Sequence, residues 1–236
     1  MHIELIGLVL VGGFVVLFVS TAFLEKQHIQ DFVPATSARV VTDSPYFKAM
    51  NETAKRLDFT SAGDFVQNRS SPVYQACVSL WVSQDSQTLL RIAGGKTAGI
   101  PIRRSSLISF LEQGRIIETS DEFGMADLSD LTDRKVILNG GLNELVAGHQ
   151  QRLVEQIGPK RTFSEAQAMI ACEAMQAMKA ARMERLGLSK FVNAERTVWR
   201  YTLKGAWISY SKGLRKQLAE GKMQMERVKL KRPGDK

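Results

Sequence analysis

Residues 73–83 of this chain read Val-Tyr-Gln-Ala-Cys-Val-Ser-Leu-Trp-Val-Ser, and this stretch decides the fold class. Apolar side chains recur at every second position, namely Tyr74, Ala76, Val78, Leu80 and Val82. A period of two predicts a β-strand, because successive side chains of a strand point to opposite faces of a sheet. A polar turn at residues 84–86 and another apolar run at residues 88–93 predict the partner strand of a β-hairpin.

A second hairpin is predicted further along the chain. Residues 107–111 and 115–119 have the strand pattern, and a turn at Gln113 and Gly114 separates them. Residues 135–138 predict a further short strand. Because hairpins join antiparallel neighbours, these segments predict an antiparallel sheet.

Helices are expected on both sides of this sheet in the sequence. Ser44 can cap the first helix, and Pro45 fits its first turn. The second helix follows Gly141 and has one apolar face, formed by Leu142, Leu145, Val146, His149 and Leu153. Residues 44–158 therefore predict an α+β domain with an antiparallel sheet and flanking helices.

Residues 162–220 have a different pattern, which predicts a helical hairpin region. Thr162 and Glu165 resemble a capping box at the start of an Ala- and Met-rich helix. Gly187 is placed to end that helix, and Asn193 could cap a final helix that covers most of the remaining region.

The first 25 residues differ in composition from the rest of the chain. From Leu5 to Leu24 no side chain is charged, and the polar ones are Ser20 and Thr21. Twenty helical residues span about 30 Å, which matches the hydrocarbon core of a bilayer. Residues 1–25 therefore predict a single N-terminal transmembrane helix, with Leu5 and Leu24 at its ends.

Removal of this segment as a signal peptide is the alternative. A signal peptide has a basic N-terminal region and an apolar stretch of about 7–15 residues. This chain begins Met-His-Ile-Glu and its apolar run is longer, although Ser20, Thr21 and Ala22 could serve as a cleavage site. We expect the helix to be retained.

The flanking charges predict the orientation of the helix in the membrane. Basic residues follow it, beginning with Lys26 and Arg39, whereas none precedes it. The positive-inside rule therefore places the bulk of the chain in the cytoplasm. Residues 26–43 form a connector to the α+β domain. The mean hydropathy of −0.13, typical of a soluble protein, averages one apolar segment with a polar remainder.

Positive charge is concentrated towards the C-terminus. The whole chain has 32 Lys or Arg and 24 Asp or Glu, a net charge of +8. Residues 179–236 hold sixteen of the basic and five of the acidic residues, a net charge of +11, so the first 178 residues carry −3. A basic surface favours anionic partners. Residues 221–236 are expected to form a basic, flexible tail.

The predicted final helix combines an apolar stripe with basic side chains. The stripe consists of Trp199, Leu203, Trp207, Tyr210 and Leu214. The residues expected to contact a membrane surface or a partner are Trp199, Arg200, Lys204, Trp207, Tyr210, Lys212, Arg215 and Lys216. Trp and Tyr beside Lys and Arg are typical of a helix in a lipid interface.

Three hypotheses for this helix stay open. It could pack against its own chain, contact anionic lipid head groups or an acidic protein, or bind nucleic acid. Nucleic acid is the least favoured partner, because the basic charge is not accompanied by a recognisable nucleic-acid-reading module.

One segment resembles part of a phosphate-binding loop. Residues 93–97 read Ala-Gly-Gly-Lys-Thr, but the first glycine of that motif would fall at Leu90, and Pro101 follows soon after. We interpret the segment as a glycine-rich turn between strands.

The remaining candidate residues carry weak chemical signals. His149 lies on an apolar helix face, which favours a hydrogen-bonded core histidine over a catalytic base. Cys77 and Cys172 are predicted to act as small hydrophobic residues, and two cysteines form neither a disulfide framework nor a zinc site.

A cluster of carboxylates lies in the middle of the sequence, at Asp121, Glu122, Asp127, Asp130 and Asp133. It lacks the register of a calcium loop. We predict that these side chains cap turns and helices, with a contact to the basic C-terminal helix as the alternative. No catalytic, cofactor-binding or metal-ligating residue is assigned.

Together, these features predict a single-pass membrane protein with a cytoplasmic α+β domain. A non-enzymatic scaffold or adaptor is the leading hypothesis for its function, and the lipid bilayer is its predicted partner. The alternatives are a membrane-tethered enzyme with a site of dispersed residues and a nucleic-acid binder that uses the basic C-terminal helix.

Overall fold

A computed structural model describes the chain at residues 26–29, 32–35, 45–67, 74–97, 100–121, 128, 130–138, 140–156, 158–208 and 211. The chain divides into two compact units. The larger unit contains residues 28–123 and 128–182, and the smaller unit contains residues 1–27, 124–127 and 183–236.

The predicted transmembrane helix, from Leu5 to Leu24, lies outside the described residues. Within the residues that the structure describes, no helix combines the length and the apolar character needed to cross a bilayer.

A seven-stranded sheet forms the centre of the larger unit, in the order β2-β3-β4-β5-β6-β7-β8. The strands are β2 (Phe32–Pro34), β3 (Thr60–Gln67), β4 (Tyr74–Val82), β5 (Leu89–Thr97), β6 (Ile100–Phe110), β7 (Ile116–Ser120) and β8 (Thr132–Val136). Neighbouring strands are antiparallel except for β7 and β8, which are parallel.

Helices pack on both faces of this sheet. On one face lie α1 (Pro45–Arg56) and α2 (Leu142–Glu155), and on the other lies α3 (Glu165–Arg185). Strand alternation supplies both cores, because Leu90 and Leu107 point towards α1 and α2, whereas Leu89 and Ile108 point towards α3. The predicted α+β fold class is confirmed.

The two predicted hairpins and the helices around the sheet are also confirmed. Strands β4 and β5 form the first hairpin, and β6 and β7 form the second. Helix α1 starts at Pro45 as expected, and α2 starts directly after Gly141, whose backbone N–H donates to the Glu144 carboxylate at 2.9 Å.

Two details of the predicted sheet are wrong. The sheet is mixed rather than antiparallel, because β8 starts at Thr132 and runs parallel to β7. Strand β3 was not predicted, because its sequence, Thr-Ser-Ala-Gly-Asp-Phe-Val-Gln, has few apolar residues and contains Gly63 at a break in the pairing register, with a φ of 120°.

The glycine-rich segment at residues 93–97 is part of strand β5 rather than a turn. Gly94 pairs with Cys77 on one side and Arg103 on the other. A Cβ atom on Gly94 would lie 2.7 Å from Cδ2 of Phe47, a fully buried ring of α1. The glycine therefore lets helix α1 approach the sheet closely.

A second sheet has three strands in the order β1-β10-β9. These strands are β1 (Gln27–His28), β9 (Ser189–Phe191) and β10 (Val198–Tyr201). Residues 203–208 follow β10 as a helical segment.

The prediction of a final helix capped by Asn193 is wrong for residues 194–201, which form a turn and strand β10. Asn193 instead holds the turn between β9 and β10, because its Oδ1 accepts from the backbone N–H groups of Thr197 and Val198 at 3.2 and 2.8 Å. Trp199 and Arg200 therefore lie on a strand, and the helical stripe begins only at Leu203.

The close approach at Gly94 can be tested by substitution. Ala is normally favoured over Gly in a strand by about 0.5–1 kcal/mol. Here the clash with Phe47 should dominate, so Gly94→Ala should lower the free energy of unfolding by about 1–3 kcal/mol. Urea unfolding followed by tryptophan fluorescence measures this change.

Phe47→Leu provides the control for this substitution. It removes the ring that the new methyl group meets, so its cost should be smaller in the Gly94→Ala background than in the wild type. Strictly additive costs would contradict the proposed contact.

Candidate functional site

Strand β7 is buried on both faces and carries polar side chains into the interior. Thr119 points towards α2, where it meets His149 and Arg152, and Glu118 points towards α3. Both residues are less than 5% exposed. We call these residues and their partners the β7 polar cluster.

His149 lies at the centre of the half of the cluster that faces α2. Its Nδ1 lies 3.0 Å from Oγ1 of Thr119, and its Nε2 lies 3.1 Å from Oγ of Ser109. Ser109 donates to the backbone carbonyl of Gln87 at 2.8 Å and also contacts the hydroxyl of Thr88 at 3.1 Å. The predicted hydrogen-bonded core histidine is confirmed.

The donors in this network determine the tautomer of His149. The Ser109 hydroxyl proton is donated to the Gln87 carbonyl, so in neutral His149 the Nε2–H donates to Ser109 Oγ. Nδ1 of His149 then accepts from the Thr119 hydroxyl, whose oxygen accepts from Arg152 Nη1 at 3.0 Å. Each donor has an acceptor only while His149 is neutral.

The environment of His149 also disfavours its charged form. Burial, with a smaller contribution from the nearby Arg152 charge, lowers the pKa of His149 from 6.5 to about 4. The imidazole is therefore neutral at neutral pH.

Ser109 and His149 have the bond distances of a nucleophile and its base, but they are not positioned for catalysis. Their exposures are 0% and 1%, so a substrate cannot reach either side chain. The Ser109 proton is directed at a backbone carbonyl rather than at the imidazole. The contacts instead join α2 to strands β6 and β7.

Arg152 links the two parallel strands β7 and β8. It donates to the backbone carbonyls of Glu118 at 2.8 Å and Asp133 at 2.6 Å, and it forms an ion pair with the Asp133 carboxylate at 2.7 Å. These contacts satisfy the guanidinium of a residue that is only 7% exposed.

On the opposite face, Glu118 lies between two cations. Its Oε2 accepts from Arg134 Nη2 at 2.6 Å and from Lys179 Nζ at 2.8 Å. Arg134 is the direct neighbour of Glu118 on β8, and Lys179 comes from α3. One carboxylate thus connects β7 to both elements.

Burial and charge act in opposite directions on Glu118. Burial alone would raise its pKa, but the charges and hydrogen bonds of Lys179 and Arg134 outweigh it and hold the pKa at about 2. Burial lowers the pKa of Lys179, and the neighbouring Arg134 charge contributes, although Glu118 opposes the shift. The three side chains carry a net charge of +1 when all are ionised.

The two cysteines are packing residues, as predicted. Cys77 lies in the core under α1, and Cys172 lies on the side of α3 that packs against the sheet. Burial is the main cause that raises the pKa of each thiol to about 11. Within the described residues, no group of three His, Cys, Asp or Glu side chains could hold a metal ion.

The carboxylate cluster of the sequence has separate partners in the larger unit. Asp121 accepts from the backbone N–H of Ser105 at 2.9 Å, Asp133 pairs with Arg152, and Asp130 pairs with Arg182 at 2.8 Å. Glu122 and Asp127 lie outside the described residues.

A shallow depression of about 490 Å³ lies on the surface of the larger unit. It is lined by Lys55, Asp58, Phe59, Thr60, Ser61, Trp81 and Gln84. Neither His149 nor Cys77 lines it, so it does not unite the candidate chemical residues of the sequence.

The smaller unit carries the predicted membrane or partner contacts that the structure describes. Trp199 is half-buried on β10, with its ring 5.1 Å from that of Tyr201 in an edge-to-face arrangement. Arg200 lies opposite Lys190 in the β9–β10 register. Tyr210, Lys212, Arg215 and Lys216 lie outside the described residues.

The helical segment at residues 203–208 has an inner and an outer side. Gly205 and Ala206 are buried, and a Cβ atom on Gly205 would lie 1.8 Å from the carbonyl oxygen of Leu188. Leu203 and Trp207 are 64% and 55% exposed, and Lys204 is also exposed. We call these three exposed side chains the Trp207 face.

No protein-family model, curated protein or solved structure is significantly similar to this chain. The function is therefore argued from its own residues.

The buried histidine predicts a specific pH dependence. Because the pKa of His149 is about 4 in the folded chain and 6.5 without burial, the unfolded chain binds an extra proton between these values. Stability should be constant above pH 6.5 on this account and fall by roughly 3 kcal/mol as the pH drops to 4. Urea unfolding across this pH range measures the effect.

A matched pair of variants isolates His149 in this experiment. His149→Gln should remove the loss of stability between pH 6.5 and 4. His28→Gln, which changes an exposed histidine on β1, should retain it. A pH dependence unaltered by His149→Gln would contradict the assignment.

Removing one partner of the Glu118 cluster should be costly. Glu118→Gln leaves Lys179 without its carboxylate in a largely buried site, and such a change costs about 3–5 kcal/mol. Adding Lys179→Met should restore part of this loss. Denaturant unfolding at neutral pH compares the variants.

Glu184→Gln is the surface control, because Glu184 pairs with the half-exposed Arg196 and its removal should change stability little. If Glu118→Gln and Glu184→Gln lower the free energy of unfolding equally, burial of the Glu118 ion pair does not add to the cost of breaking it.

Proposed function

We propose that this chain is a single-pass membrane-anchored scaffold or adaptor, with its folded units on the cytoplasmic side. The observation that carries the proposal is the uncharged run from Leu5 to Leu24, which ends three residues before strand β1. A run of this length can cross a bilayer as one helix, whereas the sheet and helices that follow form folded units.

The contacts of the larger unit support a holding role. Ser109, His149, Arg152 and Glu118 use their polar atoms to fix two helices and three strands in place. A body held by buried, mutually satisfied polar groups keeps a defined shape, which suits a protein that presents surfaces to partners.

The charge distribution supports the orientation. Basic residues follow the apolar run and none precedes it, so the positive-inside rule places the following residues in the cytoplasm. The strongly basic C-terminal region then faces the anionic inner leaflet or acidic partners.

The anchor can be tested in the full chain. The wild-type protein should stay in the membrane pellet after alkaline carbonate extraction. Replacing Val15 and Val16 by Arg adds about 2.5–3.5 kcal/mol per residue to insertion, so this variant should be released. The matched variant with Leu at both positions should be retained, and carbonate release of the wild type would refute the anchor.

Orientation and the scaffold role need separate measurements. Protease added outside intact cells should leave the folded units uncut, because they are expected on the cytoplasmic side. Crosslinking in native membranes followed by purification should recover specific partner proteins with the wild type. Recovery of none would refute the scaffold role while leaving the anchor in place.

A further inference from the structure

The Trp207 face combines apolar and cationic side chains on a short exposed surface. Leu203 and Trp207 lie four residues apart and therefore on one side of the helical segment, and Lys204 is three residues from Trp207. The indole of Trp has an apolar body and one N–H donor, which suits the boundary between lipid chains and head groups.

The topology of the smaller unit connects this face to the predicted anchor. Strand β1, which begins at Gln27, is the direct neighbour of β10 in the sheet. Two residues, Glu25 and Lys26, lie between Leu24 and Gln27, so the distance is at most about 11 Å along an extended chain. Strand β10 ends at Tyr201, and the helical segment that carries the Trp207 face begins two residues later, at Leu203. A membrane-spanning segment would therefore hold this sheet next to the bilayer.

The chain that continues beyond the Trp207 face adds positive charge. Residues 209–236 contain nine Lys or Arg and three Asp or Glu, beginning with Lys212, Arg215 and Lys216. Basic residues close to an anionic leaflet strengthen membrane binding by about fivefold each. The charge complements an anionic lipid surface.

We propose that the Trp207 face docks on the anionic head-group surface of the bilayer in which the chain is anchored. The proposal rests on the membrane anchor proposed above and adds a second contact with the same membrane. The anchor supplies proximity, so the face needs only modest intrinsic affinity.

The size of the face favours lipid over a protein partner. A stable protein interface buries about 800 Å² on each side and uses about 20–30 residues. The two apolar side chains and one lysine that the structure describes on this face provide far less surface. A lipid interface needs no shape complementarity, and side chains of this kind enter it individually.

The test uses the full-length protein reconstituted into phosphatidylcholine vesicles with and without phosphatidylglycerol. Lipids with brominated acyl chains quench the fluorescence of tryptophan that enters the interface. Trp81 is 3% exposed within the larger unit, so it is shielded by protein. Trp207→Phe should remove most of the quenching, whereas the matched Trp199→Phe should retain most of it.

Charge dependence gives a second readout in the same vesicles. Omitting phosphatidylglycerol or raising the salt concentration to about 1 M should reduce the quenching of Trp207 about twofold or more, because both weaken attraction between exposed charges. Carbonate extraction of the same vesicles reports on the anchor independently.

Each outcome decides the proposal. Quenching that depends on Trp207 and on anionic lipid supports it. The proposal is overturned if the protein stays in the membrane after carbonate extraction but Trp207 is quenched by aqueous acrylamide and not by brominated lipid. That result leaves the anchor intact. Protection of Trp207 from both quenchers also overturns it, because a protein partner or a second copy then covers the face. Carbonate release of the chain refutes the anchor itself.

Discussion

Strand β7 imposes the main constraint on the larger unit, because it is buried on both faces and still carries a carboxylate and a hydroxyl. A buried polar group is costly unless it has a partner, and a buried charge is more costly still. Thr119 therefore requires His149 and Arg152 from α2, and Glu118 requires Lys179 from α3 and Arg134 from β8. The positions of both helices and of the edge strand follow from these requirements.

The same constraint governs the chemical behaviour of these groups. His149 is kept neutral and Glu118 is kept ionised, each by its surroundings and each in a place that substrate does not reach. Side chains of these types act as bases, nucleophiles or acids in other proteins. In this protein their hydrogen bonds and ion pairs hold the helices against the sheet. Removing one of these side chains lowers the stability because its partner is left buried without a hydrogen bond or counter-charge. A unit held in this way is suited to the scaffold role that we propose.

Local pattern was enough to predict the hairpins and the helices that flank them. The apolar face of α2 reflects contact with a core on one side of the helix. The period of two in β4 reflects strand geometry, because Val78, Leu80 and Val82 enter the core under α3, whereas Cys77 and Trp81 enter the core under α1 and α2. Residues 194–201 were mistaken for part of a helix, although Trp199 and Tyr201 already alternate with Arg200 and β-branched Val198. That period of two, together with Asn193 as a turn residue, was the missed signal.

The sequence by itself determined the apolar N-terminal run, the fold class and the placement of positive charge near the C-terminus, because each depends on composition or short spacing. Only the tertiary structure decided that Glu118 is buried between two cations and that Gly94 makes room for Phe47. The partners in these contacts lie 16 to 61 residues apart. A charged residue or a glycine looks the same in sequence whether it faces water or another layer, so folding alone distinguishes the two.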